Sequence, residues 1–323
     1  MTLKFVMKYQ PLSRRQHYYN PNRWLDVPYR LIIKAITAIS ISLLIASCTR
    51  TTVPLLPIDT AVTEIPQEDP SPLIFATFEP SGMYAVVGIP AGEVLFLRNP
   101  AGIAGNIVDE LTYDARGIAA TGDATNLGSS IWMEIQSPGG SRGWVKSLNM
   151  TEDISQEQFC QDARAVMVLD QSLQSIQEHD GDLLLQVVNP RRGLIIRHDW
   201  WNPEVIVPVD SISGIFDNLS EMEWGLLSGG EFKIQGSFKD IILPLLDDTV
   251  LTSPGPVCGE LPFGTTSRPA LWPTEYTSMN YFAIYRPAPE GGNSFDWRTW
   301  AFVFEYIDGQ PFLTSIIHFH GDV

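Results

Sequence analysis

Short apolar runs separated by glycine-containing turns fill residues 81–150. Residues 94–98 read Val-Leu-Phe-Leu-Arg and precede the turn-forming Asn-Pro-Ala-Gly, and residues 131–135 alternate large apolar side chains with polar ones. Alternation with a period of two is typical of a strand with one buried face, and glycine and proline end such strands. The pattern predicts about five short strands, arranged as a small all-β barrel whose closure removes exposed strand edges.

Residues 158–323 carry longer elements of both kinds. Apolar positions recur at helical spacing over 163–176, which predicts a first helix. A second helix should begin at Ser237, with Asp240 as its capping-box partner and a kink at Pro244. The first helix should bury one face, made of Ala163, Val166, Met167, Leu169, Leu173 and Ile176.

Strand-like patterns surround these helices. Apolar runs at 183–188 and 194–197 predict two strands. The runs 300–307 and 311–320 flank Asp-Gly at 308–309, which is a strong signal for a long hairpin. We therefore expect an α+β domain, a curved antiparallel sheet with helices, comparable in layout to cystatin-like or NTF2-like folds.

The N-terminus has the pattern of an export signal. Residues 35–47 are uncharged and mostly apolar, and they are too few to span a bilayer, which takes roughly 20 residues. The run ends in Leu-Ile-Ala-Ser-Cys, which resembles the bacterial lipobox. The resemblance implies that residues 1–47 are a signal peptide and that Cys48 becomes a lipid-modified N-terminus. An uncleaved anchor helix over 31–47 is the alternative.

Residues 48–80 follow as a linker. They hold six prolines, which disfavour a regular helix and favour an extended spacer. With a lipid on Cys48, this linker would hold the folded part away from the outer face of the cell membrane.

Charge is divided unevenly along the chain. The formal net charge is −16, with 21 Lys and Arg residues against 37 Asp and Glu residues. Seven basic residues and one acidic residue precede Cys48, so the remainder holds 14 basic and 36 acidic residues and carries about −22. A basic leader before an acidic body is typical of an exported protein, and so acidic a body argues against a general nucleic-acid binder.

The segment 81–150 resembles a bacterial SH3 domain. The resemblance rests on the Leu-x-Leu-Arg run of residues 95–98 ahead of Pro100, on Trp132, and on Gly-Trp-Val at 143–145. It implies a module that binds cell-wall peptidoglycan, through its peptide or glycan, or an envelope partner protein. The side chains expected nearest such a ligand are Tyr84, Arg98, Trp132 and Trp144. The aromatic rings offer contact area, and the guanidinium can bind a carboxylate through two parallel hydrogen bonds.

The three cysteines divide between two roles. A cysteine nucleophile needs a neighbouring histidine, and the sequences around Cys160 and Cys258 differ from the motifs of cell-wall cysteine peptidases. We therefore expect Cys160 and Cys258 to form a disulfide in an oxidising compartment, which leaves Cys48 for the lipid.

Two histidines near the C-terminus, His318 and His320, should point to one face of a strand. They could begin a zinc site, for which His198 and Asp199 are the obvious further ligands. The sequence favours the plainer interpretation, a partly solvated sheet face, so we expect no metal and no cofactor.

Six tryptophans in the second half of the chain could line a cleft for a sugar or a peptide, although core packing explains them equally well. They are Trp200, Trp201, Trp224, Trp272, Trp297 and Trp300. The acidic stretches at 180–182 and 247–248 lack the EF-hand pattern, and no phosphate loop, nucleophile elbow or zinc-protease helix occurs in the sequence.

Two functions remain open. The first is a non-catalytic, membrane-anchored lipoprotein of the cell envelope whose SH3-like module binds wall material or a partner protein. The second is an envelope hydrolase with an unrecognised active site in the C-terminal domain. The absence of a recognisable catalytic motif favours the first.

Overall fold

The computed structural model describes residues 82–230 and 232–321. The predicted signal peptide, Cys48 and nearly all of the proline-rich linker lie outside these residues. The structure is mostly β, with 38% strand against 22% helix, and contains a curled antiparallel half-barrel sheet. Within the described ranges, no helix combines the length and the apolar character that a bilayer span needs.

The N-terminal part of the described chain forms one antiparallel sheet of seven strands. These are β1 (Met83–Val86), β2 (Val94–Asn99), β3 (Asn106–Thr112), β4 (Ile118–Leu127), β5 (Ser130–Gln136), β6 (Arg142–Lys146) and β7 (Met150–Glu152). Their order across the sheet is β3-β2-β6-β5-β4-β1-β7. Among the described strands the hydrogen-bond ladder ends at β3 and β7, so the closed barrel stays a prediction.

One face of this seven-stranded sheet encloses a small aliphatic core. The buried residues of this core are Val86, Leu95, Leu97, Leu111, Ile118, Ile135, Val145 and Met150. Gly143 lies where β6 passes close to β2. A Cβ atom at Gly143 would lie 2.8 Å from Cγ of Leu97 and 2.9 Å from the carbonyl oxygen of Arg98. The close packing of β6 on β2 therefore requires glycine at the first position of the Gly-Trp-Val sequence.

Within the described ranges, five α-helices follow this sheet. They are α1 (Gln156–Gln161), α2 (Ala163–Glu178), α3 (Gly181–Leu185), α4 (Phe238–Ile241) and α5 (Leu243–Thr252). The predicted α2 is present, but its buried face is rotated from the predicted one, since Val166 and Met167 are exposed and Ser172 and Ser175 are buried. The serine hydroxyls can be buried because each donates to a backbone carbonyl of the same helix at 2.7 Å.

The second predicted helix begins where its sequence indicates. Ser237 Oγ accepts a hydrogen bond from the Asp240 amide at 3.1 Å and donates to the Asp240 carboxylate at 2.6 Å. The helix is divided at Ile242 into α4 and α5, just before Pro244. Proline lacks the amide hydrogen that a continuous helix needs, so the predicted kink takes the form of a break.

The C-terminal part of the chain adds eight strands within the described ranges. These are β8 (Leu194–Arg197), β9 (Val205–Val207), β10 (Met222–Leu226), β11 (Lys233–Gly236), β12 (Pro256–Cys258), β13 (Asn280–Arg286), β14 (Arg298–Ile307) and β15 (Gln310–His320). Six of them form one sheet in the order β12-β13-β14-β15-β8-β9, and β10 pairs with β11. The long hairpin β14–β15 is confirmed. Its turn residues Asp308 and Gly309 have φ angles of 52° and 75°, as a tight two-residue turn requires.

One expectation for this region was wrong, and another holds with one exception. Residues 183–188 do not form a strand, because the Asp180 carboxylate accepts hydrogen bonds from the amides of Asp182 and Leu183 and starts α3 there. The six-stranded sheet is antiparallel as predicted except at one position, where β15 and β8 pair in parallel. That pairing joins segments distant in sequence, so no local pattern could indicate it.

Both faces of the six-stranded sheet are covered. Alternate residues of β14 point to opposite sides, so Phe302 packs in a core with α2 and α5, while Val303 packs in a second core that also includes Val87. Thr151 of β7 joins the two sheets, because its Oγ1 donates to the Tyr306 carbonyl at 3.2 Å and accepts from the Tyr306 amide at 2.8 Å.

The predicted pairing of Cys160 with Cys258 agrees with the structure. Their Cα atoms lie 5.8 Å apart and their sulfur atoms are at bonding distance. The disulfide connects the end of α1 to the edge strand β12.

Candidate functional site

Four polar residues meet at one edge of the six-stranded sheet, and we call them the His–Asp cluster. His198 and Asp199 follow β8 directly, and His318 and His320 lie at the end of β15. Because β8 and β15 are parallel neighbours, their carboxyl ends meet at the same edge. The parallel pairing thus brings together residues 120 positions apart in sequence.

Asp199 is the centre of the His–Asp cluster. Its Oδ2 lies 2.8 Å from Nδ1 of His198, and its Oδ1 lies 2.9 Å from Nε2 of His320 and 3.4 Å from Nδ1 of His318. Only 2% of the Asp199 side chain is exposed. A carboxylate so far removed from water needs charged or hydrogen-bonding partners, and the three imidazoles supply them.

Burial and hydrogen bonding set the charges within the cluster. Burial alone would raise the pKa of Asp199, but hydrogen bonds from His198, His318 and His320 outweigh it and hold the pKa below its ordinary value. Burial lowers the pKa of His318 more than the nearby Asp199 raises it. At neutral pH, Asp199 is therefore ionised and His318 is neutral.

The ring nitrogens of the two C-terminal histidines have different roles. Nδ1 of His318 lies 2.8 Å from the carbonyl oxygen of His198, so Nδ1 carries the hydrogen and Nε2 keeps its lone pair. In the part of the chain that the structure describes, this buried Nε2 has no hydrogen-bond partner. His320 faces an oxygen at both nitrogens, the Gly321 carbonyl at 2.8 Å and the Asp199 carboxylate at 2.9 Å.

Three members of the cluster hold potential metal-ligating atoms close together. One nitrogen or oxygen from each of His198, Asp199 and His318 lies within 4.8 Å of the other two. The sequence raised His318 and His320, with His198 and Asp199, for a zinc site and set that site aside for a partly solvated sheet face; His320 is not among the three residues grouped here. His318 is not solvated, because only 2% of its side chain is exposed, whereas His320 is 26% exposed.

A cleft of about 660 Å³ opens beside His320. Residues 200–203, 226–230 and 266–271 form its other walls. The rings of Trp200 and Trp201 lie 5.5 Å apart and nearly perpendicular, and the Trp201 ring lies 5.7 Å from that of His320. A concave, aromatic and mostly apolar surface with a few polar groups is typical of a ligand site.

The six tryptophans of the second half divide between core and cleft. Three are fully buried and donate their indole N–H to backbone carbonyls, namely Trp224, Trp297 and Trp300. Trp272 stacks on Tyr281 with ring centroids 4.1 Å apart and packs against the second core. Trp200 and Trp201 line the cleft. Core packing thus explains four of the six, and Trp200 and Trp201 remain candidates for contact with a ligand.

The four side chains that the SH3 resemblance implies are spread over the seven-stranded sheet. Arg98 and Trp144 are cross-strand partners, and Arg98 donates to the carbonyl oxygen of Gly105 at 2.9 Å. Trp132 is buried. Tyr84 lies on β1, which β4 and β5 separate from β6. Of these four, the structure brings together Arg98 and Trp144.

A second cavity, of about 380 Å³, has charges that are already paired with one another. Arg197 lies 3.1 Å from Glu204 and also contacts Glu275, while the Tyr276 hydroxyl donates to Glu204 at 2.7 Å. Burial raises the pKa of Tyr276, which keeps this hydroxyl protonated. The cavity is therefore a weaker candidate than the cleft beside His320.

The acidic stretches serve local structure. Asp180 caps α3, Asp247 lies 3.0 Å from Nε2 of His179, and Asp248 lies 2.9 Å from Nε of Arg286.

No protein-family model, curated protein or solved structure matches this chain. The site is therefore interpreted from its own chemistry.

Proposed function

We propose that this protein is a lipid-anchored component of the cell envelope that binds a peptidoglycan fragment, through its glycan or its peptide, without transforming it. The observation that carries this proposal is the cleft beside His320, whose volume suits a small oligomeric ligand. Aromatic rings such as those of Trp200 and Trp201 stack on the apolar faces of sugars and provide large contact areas.

The negative charge of the protein favours binding of wall material through aromatic contacts over binding through ionic attraction. The chain after Cys48 carries about −22 and repels acidic wall polymers. Binding should therefore strengthen as added salt screens this repulsion. Ionic attraction to a cationic partner would weaken with salt instead.

We also propose a specific fold type for each half of the described chain. Seven short antiparallel strands, with the close approach at Gly143, support an SH3-like module that offers Arg98 and Trp144 as a further contact. The long β14–β15 hairpin packed on α2 supports a cystatin-like or NTF2-like layout for the second half. Lipid attachment at Cys48 would place both modules at the outer surface of the membrane.

Two tryptophan variants test which surface binds. Purified protein would be titrated with soluble muropeptides, with the affinity measured by calorimetry at low and high salt. Trp201→Ala should weaken binding about tenfold, since the loss of an aromatic contact costs about 1.4 kcal/mol. Trp144→Ala, the matched variant in the seven-stranded sheet, should change it less. Loss of affinity in Trp144→Ala alone would move the site to the SH3-like module, and no binding to muropeptides by the wild type would reject the proposal.

A second candidate, an envelope hydrolase, is favoured by one observation. His320 lies in the wall of the cleft and its Nε2 contacts the buried Asp199, as a carboxylate orients a catalytic imidazole; Nδ1, which contacts the Gly321 carbonyl, would have to exchange that contact for the substrate. Incubation of muropeptides with the protein, followed by mass spectrometry, separates the two candidates. Cleavage that disappears in His320→Gln would establish the hydrolase, and intact muropeptides would leave the binding function.

A further inference from the structure

One nitrogen of the His–Asp cluster makes no hydrogen bond within the described residues. Asp199 and His318 are both almost completely buried, yet Nε2 of His318 keeps a lone pair without a partner within the described residues. Buried polar atoms without partners are uncommon in folded proteins, and each one calls for an explanation. A bound cation is one species that accepts such a lone pair.

We propose that His198, Asp199 and His318 bind one divalent transition-metal ion, with Zn²⁺ as the best-fitting ion. Two imidazole nitrogens with one carboxylate oxygen form a donor set of intermediate softness, which suits Zn²⁺ and its first-row neighbours better than Mg²⁺ or Ca²⁺. One nitrogen or oxygen atom of each residue already lies within 4.8 Å of the other two, so rotation of the side chains can bring one donor atom of each to a single ion. Three protein ligands also leave one position of a tetrahedral ion open.

The groups around these ligands are arranged as a metal site requires. Ligating histidines usually donate their second ring nitrogen to a carbonyl or a carboxylate, which fixes the ring and its tautomer. His318 does this with the carbonyl of His198 at 2.8 Å. Nε2 of His320 contacts Oδ1 of Asp199 at 2.9 Å, so His320 acts as a positioning residue for Asp199.

The site lies next to the cleft, which gives an ion a route from solvent. His320 belongs both to the cluster and to the wall of the cleft, and the side chain of His198 is 12% exposed. The metal-binding inference does not depend on which ligand the cleft takes. It is measured with the metal alone and can stand if muropeptides do not bind.

The test is a metal titration of the purified full chain. After treatment with a chelator and its removal, the protein would be titrated with Zn²⁺ against a chromophoric competitor, and with Co²⁺ while the visible absorption is recorded. We expect one Zn²⁺ per chain and a Co²⁺ spectrum of four- or five-coordinate geometry. Mg²⁺ should not compete.

Single-residue variants identify the ligands. His198→Gln and Asp199→Asn should each lower the Zn²⁺ affinity at least about tenfold, since even residues that only orient ligands change affinity by about 10–100-fold. His179→Gln is the matched control, because His179 is also paired with an aspartate, Asp247, but lies outside the cluster. It should bind Zn²⁺ as the wild type does.

A loss of folding is separated from a loss of ligands by circular dichroism and by the thermal transition without metal. His198→Gln, which changes a partly exposed residue, serves if Asp199→Asn does not fold. Absence of stoichiometric Zn²⁺ at micromolar concentration would overturn the proposal. Equal affinity in the wild type, His198→Gln and His179→Gln would also overturn it, by showing adventitious binding elsewhere.

Discussion

The two sheets of this protein bury their residues in different ways. The seven-stranded sheet has one compact aliphatic core, and several large apolar residues of its strands, such as Phe96, Ile107 and Ile131, remain exposed. The six-stranded sheet has a core on each face, and its central strand β14 is buried almost along its whole length. One sheet is covered on a single side, and the other lies between two layers.

This difference explains where the candidate chemistry lies. A carboxylate such as Asp199 and a neutral imidazole such as His318 need an environment from which water is excluded but hydrogen-bond partners are close. The doubly covered sheet provides that environment at the end of β8 and β15. In the seven-stranded sheet, polar side chains such as Arg98 lie partly exposed and bond to the nearest backbone carbonyl. A cluster of side chains with shifted pKa values is therefore expected in the second region, the six-stranded sheet.

The largest loss of stability should come from removing the disulfide. This bond constrains the second region, so its removal should affect the two sheets differently. Cys160 and Cys258 are 98 residues apart, so the loss of the bond should lower the free energy of unfolding by about 4–5 kcal/mol in the chain-entropy model. Urea unfolding of Cys160→Ser/Cys258→Ser measures this, and hydrogen exchange locates it. A reductant should change the wild type and leave the double variant unchanged. Equal loss of protection in β2 and β6 would show that the two sheets unfold together.

A tryptophan from each sheet gives the next largest contrast. Trp300 is fully buried in the larger core, so Trp300→Ala should cost about 3–5 kcal/mol through lost burial and a cavity. Trp144 is half-buried, so Trp144→Ala should cost about 1 kcal/mol. Thermal and urea unfolding of both variants give the two values. Similar costs would mean that Trp144 is covered as thoroughly as Trp300, which contradicts the one-sided sheet.

The smallest expected change in stability comes from replacing an aspartate in each region, and for Asp162 this change depends on pH. Asp162 caps α2 and accepts from the Arg164 amide at 2.9 Å and from the Tyr306 hydroxyl at 2.9 Å. Burial would raise the pKa of Asp162, but these hydrogen bonds and Arg164 hold it below the ordinary value of 3.8. Asp162→Asn should lower stability by about 1–2 kcal/mol at neutral pH.

The sign of the pH dependence follows from the direction of that shift. A carboxylate with a lowered folded-state pKa contributes its full stability above the unfolded-state value of 3.8 and loses it as the pH falls through the folded-state pKa. The gap between wild type and Asp162→Asn should be constant from about pH 5 to 7 and shrink below about pH 4. Asp153→Asn, which breaks the more exposed pair with Arg116 in the first region, should cost less than about 1 kcal/mol. A gap for Asp162→Asn that grows toward low pH would contradict the assignment.

Local signals in the sequence were sufficient where neighbouring residues decide the structure. Asp308-Gly309 indicated a tight hairpin because few residue pairs adopt two positive φ angles. Ser237 indicated a helix start because its hydroxyl accepts from the Asp240 amide, one of the first free amides of that helix, and the Asp240 carboxylate then accepts from this hydroxyl. The pairing of Cys160 with Cys258 was expected because the lipobox resemblance assigned Cys48 to a lipid, which left these two cysteines.

The remaining features depend on contacts between distant segments. The face of α2 that is buried, with Ser172 and Ser175 instead of Val166 and Met167, depends on the surface against which the helix packs. The sequence named the four residues of the His–Asp cluster but favoured a solvated strand face for its histidines, because nothing local shows that β8 pairs with β15. The parallel register of these strands places Asp199 among three imidazoles, and the two cores then remove that group from water. Residue types and turns are properties of short segments, whereas burial and proximity across 120 residues are properties of the folded chain.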